Sequence, residues 1–241
     1  MPPKFAKKSQ GEEISIRQKL EIFSELRNGS LRKVVLSRLN LTGINLTGID
    51  FSSAEMVRVI LEDADLRFAR FDGANLAGSN FTKARLDGAS FKYAKLPKST
   101  FRHAKMQRVC LRMAEMSGVN LVQATLFEAD LESAIMDHGL LEMADLQKAN
   151  MPGVRAMNAK FKGANLHRAN LSQAKLQDAD LSGANLSQSK LYDADLSRAD
   201  LSAADLRGAW MEEARLDDAK LDGAQWDKTT RWPVGFGAHL H

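Results

Sequence analysis

Stepping along the chain by five from Leu31 meets a large apolar side chain almost every time: Leu36, Leu41, Leu46, Phe51, Met56, Leu61, Leu66, Phe71 and so on to Leu221 and Trp226. Of the forty positions so reached, only Ala156 is not Leu, Phe, Met or Trp. Two residues before each stands a small or apolar residue, usually Ala, as at Ala64, Ala74, Ala84, Ala94, Ala104, Ala114 and Ala124. The residue between the two is often Asp or Asn, which gives Ala-Asp-Leu at 64–66, 129–131 and 144–146 and Ala-Asn-Leu at 74–76 and 184–186. A period of five matches neither the 3.6 of an amphipathic helix nor a long alternating strand, yet within each unit the two apolar sites lie two apart, as on one face of a strand. The pattern predicts a very short strand followed by a corner, repeated without loss of phase.

Glycine locates the corner. Eleven of the 16 glycines, Gly43, Gly48, Gly73 and Gly88 among them, fall two residues after the central apolar residue, where a sharply turning backbone accepts them best. Internal repetition of this kind overrides the domain count that length alone suggests.

These Ala-(Asp/Asn)-Leu-X-X units resemble the pentapeptide repeat family, and the resemblance runs over roughly residues 31 to 228. It implies an all-β solenoid, a right-handed quadrilateral β-helix with four units to a coil. At that geometry the forty units make about ten coils, and at about 4.8 Å per coil the rod is on the order of 45 Å long.

An open stack of short strands exposes unpaired backbone groups at both ends, so caps are expected. Residues 12–29 read as a capping α-helix: Glu12 and Glu13 suit its first turn, Ile16, Leu20 and Phe23 share a face, Arg27 suits the last turn and Gly29 stops it. In the first coils Val34, Leu39, Ile44 and Ile49 replace the usual Ala, matching such a lid. Residues 1–11 read as a flexible N-terminus, 30–228 as the β-helix, and 229–241 as a C-terminal cap or tail in which Trp232, Pro233 and Phe236 fold back, with Trp226, over the last coil.

Composition narrows the function. One cysteine, Cys110, allows no intrachain disulfide; no apolar run is long enough for a membrane span, and Met1 to Gln10 lacks a secretory apolar stretch, so a soluble cytoplasmic protein is expected. No phosphate-binding loop, HExxH pair, CxxC or nucleophile elbow occurs, and the five histidines lack ligand spacing. Asp before the central Leu belongs to the repeat and does not mark an acid/base pair. No catalytic residue, metal or cofactor is expected.

The net charge of +4 hides two bands. Lys83, Arg85, Lys92, Lys95, Lys98, Arg102, Lys105, Arg108 and Arg112 face one acid, Asp87, within residues 83–112. Residues 113–147 then carry Glu115, Glu128, Asp130, Glu132, Asp137, Glu142 and Asp145 with no Lys or Arg. Coils stack closer than a Debye length of about 8 Å, so the bands either compensate each other or dock complementary partners. The acidic band also places Val122, Phe127, Ile135, Leu140 and Met143 at outward positions, and an apolar patch ringed by Glu128, Glu132, Asp137 and Glu142 has the make-up of a protein-docking surface. Nearby the repeat is least regular: Gly139 stands for Ala, Pro152 and Val154 follow, and Ala156 replaces the large residue, a combination that predicts a local kink.

Three functions compete. The first is a non-enzymatic interaction or scaffold protein that uses the side of the rod, as a monomer or a homodimer joined through an end. The second comes from the family resemblance, which implies DNA-mimicking binding of a type II topoisomerase (gyrase) and resistance to its inhibitors. Against it, the net charge has the wrong sign, and only residues 193–228, with ten acids to five bases, approach a phosphate-like surface. The third is nucleic-acid binding through the basic girdle, which has little to stack bases on beyond Tyr93 and His103.

Overall fold

Each residue that precedes a central apolar residue pairs, as a single parallel bridge, with the residue twenty positions on: Ser30 with Asp50, Val35 with Glu55, Asn40 with Ile60, Asn45 with Asp65, and onward to Asp205 with Gln225. The computed structural model describes residues 30–236. Four five-residue units therefore complete one coil, and the solenoid has four sides. Side 1 carries Ser30, Asp50, Arg70 and their successors at steps of twenty; side 2 begins at Val35, side 3 at Asn40 and side 4 at Asn45. The expected capping helix, residues 12–29, lies outside the described residues, as do residues 237–241 of the C-terminal tail.

The backbone of one unit explains its five letters. The central residue donates its N–H to the coil above (Leu31 to the Asp50 carbonyl, 2.8 Å), the second corner residue does the same (Lys33 to Ser52, 3.1 Å), and the bridging residue donates to the coil below (Glu55 to Val34, 2.8 Å). The residue after the corner closes a β-turn onto the central carbonyl (Val34 to Leu31, 3.2 Å). Only the first corner residue lacks a backbone acceptor.

Asp or Asn before the central residue supplies it. Asn45 accepts the N–H of Thr47 at 3.1 Å, Asp50 that of Ser52 at 2.9 Å, and Asp180 that of Ser182 at 3.0 Å. The recurrent Asp/Asn is thus an Asx turn that completes the hydrogen bonding of each corner. Asn150 makes no such bond, because the residue two further on is Pro152, which has no N–H. Where the bridging residue is not Asp or Asn, the coil below can substitute: Ser37 accepts from Val57, Asp72 from Lys92, Asp87 from Gln107 and Asp137 from Met157, at 3.0–3.1 Å.

Every second corner residue from Lys33 to Gly223 has a positive φ, between 54° and 73°, whether or not it is glycine. This is the pattern of a type II turn, for which Pro97 and Pro152 at the preceding position are pre-set. Lys, Arg, Phe and Tyr hold left-handed backbone here because the ladders on both sides leave the chain no other path. Such strain persists only where its surroundings over-determine it.

Inside, the central side chains and the Ala column stack in ladders buried to 0–2% exposure along most of the rod. Phe51, Phe71 and Phe91 stack on side 1 at 5.3 and 4.8 Å between ring centroids. Phe81 and Phe101 stack on side 3 at 4.6 Å, and the two ladders meet edge to face at 5.9–6.1 Å. Both arrangements are favoured by the ring quadrupole and add about 0.5–1.5 kcal/mol per pair beyond burial.

The kink predicted near Ala156 is absent from the ladder: Ile135, Arg155 and Lys175 bridge in unbroken register, and Ala156 donates to Lys175 at 2.8 Å. Gly139 is explained by its neighbours, since a Cβ there would lie 2.9 Å from the Met136 carbonyl, 3.2 Å from Leu141 and 3.5 Å from Val119. Val119 occupies the same column one coil below and takes the space an Ala would fill. At the far end Trp232 and Phe236 pack against the core, with Trp226 edge-on to Trp232 at 5.8 Å.

Candidate partner-binding surfaces

A four-sided rod sends sequence neighbours to different sides and gathers residues twenty apart. The basic girdle accordingly encircles the rod: Lys92 and Arg112 lie on the edge between sides 1 and 2, Lys95 on side 2, and Lys98 on the edge between sides 2 and 3. Lys83 and Arg102 lie on the edge between sides 3 and 4, Arg85 and Lys105 on side 4, and Arg108 on the edge between sides 4 and 1. All are exposed except Arg112, which is half-buried.

The acidic and apolar residues scatter in the same way. Glu132 lies on the edge between sides 1 and 2, Ile135 on side 2, Asp137 on the edge between sides 2 and 3, and Phe127 with Glu128 on the edge between sides 4 and 1. Val122, Glu142 and Met143 share the edge between sides 3 and 4, with Leu140 beside them on side 3. The nine residues 122–143 therefore do not form one face.

Nor are they equally accessible. Met143 is 62% exposed, whereas Val122, Phe127, Ile135 and Leu140 are half-buried between coils. Lys148 places its Nζ 5.1 Å from the centroid of the Phe127 ring, a cation–π contact that covers that face. Asp137 is buried: it holds Arg155 at 2.6 Å and accepts the Met157 N–H, so it belongs to the scaffold and not to a surface patch.

Where the two bands touch, they pair. Glu128 lies between Arg108 (3.1 Å) and Lys148 (3.5 Å), and Arg112 reaches Glu132 at 2.9 Å and Asp130 at 3.6 Å. Hydrogen bonds from Arg108 and Lys148 hold the Glu128 carboxyl below the usual range. Arg85 joins Asp65 at 3.3 Å. Partial burial raises the Asp65 pKa, but hydrogen bonds and charge from Arg67, with Arg85, outweigh burial and leave it lowered. Lys83, Lys92, Lys95, Lys98, Arg102 and Lys105 have no ion pair among the described residues. Glu142 is likewise without one, and its Oε2 is buried without a hydrogen-bond partner. Burial pushes the Cys110 thiol above its ordinary pKa, away from the reactive thiolate form.

The sequence reading named Tyr93 but missed two further exposed apolar corners, Met113 and Phe68. Tyr93 and Met113, 62% and 50% exposed, follow one another on the edge between sides 1 and 2. Phe68, 64% exposed, lies over Gly88 of the next coil. It also missed an open groove at the C-terminal end lined by Arg168, Gln188, Lys190, Trp210, Lys228 and Arg231. The signal for the corners is a spacing of twenty, whereas the groove's Trp210–Arg231 bridge spans twenty-one. Among the described residues no cluster of His, Cys, Asp and Glu is arranged to hold a metal ion, and no helix is long and apolar enough to cross a membrane.

The fold and its sides define a non-globular solenoid whose accessible features are edges and shallow strips. The family described as "Pentapeptide repeats" matches in eight copies between residues 30 and 225, and the chain belongs to that family. The structure is similar to that of HetL, a pentapeptide repeat protein involved in heterocyst differentiation regulation from the cyanobacterium Nostoc sp. strain PCC 7120. The two are 28% identical, with 91% of this chain and 95% of HetL covered and a TM-score of 0.82. A trypsin-treated form of QnrB1, a plasmid-mediated fluoroquinolone resistance protein, is 21% identical over 78% of this chain and 91% of its own, with a TM-score of 0.49. The Nostoc PCC 7120 pentapeptide repeat protein alr5209 is 39% identical over 38% of this chain and 76% of its own, with a TM-score of 0.38. No curated protein matches. The family match and the likeness to HetL identify the solenoid as a right-handed quadrilateral β-helix.

Proposed function

We propose that the protein is a non-enzymatic interaction protein of the cytoplasm that docks a protein partner along the edge between sides 3 and 4. There Lys83, Arg102, Val122 and Met143 follow one another from coil to coil, with Leu140 on the adjoining side. The observation that carries this reading is the exposure of Met143 next to Leu140, a Glu142 without a counter-charge, and two cations without ion pairs on the same edge. An apolar centre with unspent charges on its rim suits recognition by a complementary surface. The family supports it, since pentapeptide repeat proteins are generally structural or interaction proteins. So does the likeness to HetL, described as taking part in regulation.

Affinity capture from the native cell with wild type and with Met143→Glu combined with Arg102→Glu tests it. A partner held by the wild type and lost by the folded variant is the expected result. Identical captured proteins from both would refute this edge as the docking surface.

A DNA-mimicking topoisomerase ligand finds less support. Asp178, Asp195 and Asp205 are drawn into ion pairs with Arg198, Arg215 and Arg207 at 2.6–3.2 Å. Unaltered supercoiling by gyrase with micromolar protein is the expected outcome of that assay.

A further inference from the structure

Among the described bridges, one departs from the spacing of twenty. Trp210 pairs with Arg231, twenty-one positions on, because the corner after Trp226 holds one extra residue. Thr230 absorbs it: its hydroxyl accepts the Gly208 N–H at 3.2 Å, a bond made elsewhere by a backbone carbonyl, and reaches the Leu206 carbonyl at 3.0 Å. Asp227 braces the widened loop by accepting the N–H and hydroxyl of Thr229. Beside this widened loop lies a groove of about 700 Å³, walled by Arg168, Gln188, Lys228 and Thr229 and floored by Lys190, Gly208, Trp210 and Arg231.

The charge inside this groove is one-sided. Arg168, Lys190, Lys228 and Arg231 line it and no carboxylate does. Elsewhere in this half of the rod, arginines are paired: Arg198 with Asp178, Arg207 with Asp205 and Arg215 with Asp195. In the groove only Arg231 has an acid, Glu212 at 3.2 Å. Arg168 bonds the neutral Gln188 amide at 2.8 Å, and neither Lys190 nor Lys228 has an ion pair among the described residues.

Trp210 orders two of the cations. The Arg231 guanidinium carbon lies 4.4 Å from the indole centroid and the Lys190 ammonium 5.8 Å from it, the two coming from the coils on either side. The indole thereby offsets part of their mutual repulsion and fixes both heads at the groove floor. Gly208 keeps the floor low, since a Cβ there would come within 3.3 Å of both Gln188 and Thr229.

We propose that this groove binds a compact polyphosphate anion, a chain of two or more phosphoryl groups, free or carried by a nucleotide. A single carboxylate would leave most of the converging positive charge uncompensated. Consecutive phosphoryl groups match four cations and have acceptor oxygens to spare for the Gln188 amide N–H. A nucleic-acid strand is disfavoured, because the coils around the groove, residues 193–228, carry ten acids against five bases on their circumference and repel a long phosphate backbone.

Calorimetric titration of the full chain with sodium tripolyphosphate, at about 0.15 M ionic strength, tests the site. One saturable site in the micromolar range is expected. Lys190→Ala with Lys228→Ala should weaken it at least about tenfold, and Lys190→Arg with Lys228→Arg should restore it. Circular dichroism should show the same folded signal for all three proteins, since both lysines are exposed. Equal affinity for ATP and tripolyphosphate would assign recognition to the phosphate chain, and tighter ATP binding would assign it to a nucleotide. No saturable binding by the wild type, or unchanged affinity in the alanine variant, would overturn the proposal. So would tighter binding of a single-stranded oligonucleotide that is lost in the same variant.

Discussion

The ring of Phe68 lies across the corner of the next coil at Gly88, so close that a Cβ on Gly88 would come within 2.7 Å of it. Gly43 has nearly the same φ, 67° against 68°, and open space around it. Comparing the two separates backbone strain from crowding. Gly43→Ala should cost about 1–2 kcal/mol, the ordinary penalty for left-handed backbone. Gly88→Ala should cost more by about 1 kcal/mol for displacing the ring. Removing the ring as well, in Phe68→Ala with Gly88→Ala, should return the cost to the Gly43→Ala level in denaturant titration.

Buried serines in the Ala column differ in a way that reverses the effect of one substitution. The Ser99 hydroxyl donates to the Leu76 carbonyl at 2.9 Å, whereas the Ser189 hydroxyl is buried without a partner. Ser99→Ala should destabilise by about 0.5–1.5 kcal/mol, and Ser189→Ala should stabilise by about 1 kcal/mol. Thermal melting of the two variants beside wild type reads the opposite signs directly.

Asp137 has two partners, the Arg155 guanidinium and the Met157 N–H, and the variants can separate them. Asn at this position keeps an acceptor for Met157 and loses the charge. Asp137→Ala loses both and should cost about 1–3 kcal/mol, Asp137→Asn less, as measured by urea unfolding.

Acid should weaken the rod in a defined window. Asp50, Asp65, Asp195, Asp200 and Asp205 all have pKa values lowered by folding. At Asp50, Asp65 and Asp195 burial acts in the opposite sense and is outweighed by hydrogen bonds from the corners and by arginine. At Asp200 and Asp205 hydrogen bonds from Ser202 and Arg207 lead. A depressed carboxylate pKa adds stability above the unfolded value of about 3.9 and loses it as pH falls towards the folded value. The melting temperature should therefore be flat with respect to these groups from neutral pH to about 5 and fall below about 4.

The five-residue phase, the identity of the core and the place of the corners were legible in the sequence because each depends on spacing along the chain alone. Glycine at the corner was legible too, although Lys, Arg and Tyr adopt the same backbone there, which propensity gives no hint of. The role of Asp and Asn before the central residue was visible only as a habit of the repeat, until the orphan N–H they accept was located. The docking candidates fared worse. Ile135 and Leu140 are five apart and lie on different sides, while Arg102 and Val122, drawn from the basic and acidic bands, lie on one edge. Distance in such a rod is counted in twenties, so a run of like charges becomes a ring and not a face. The irregularity at Gly139, which predicts a kink from sequence alone, is compensation for Val119 one coil away.

Because four units close a coil, the solenoid behaves as a single-start screw thread with four flats to each turn. Removing one unit would preserve the inward and outward phase of every side chain and the ladder beneath, while turning everything beyond the cut by a quarter revolution. Lys83 and Met143, now in line, would then address different directions. Removing four units would only shorten the shaft. Change in this rod is thus quantised: length varies in whole coils without disturbing what lies in line, and orientation varies in quarter turns without disturbing the core.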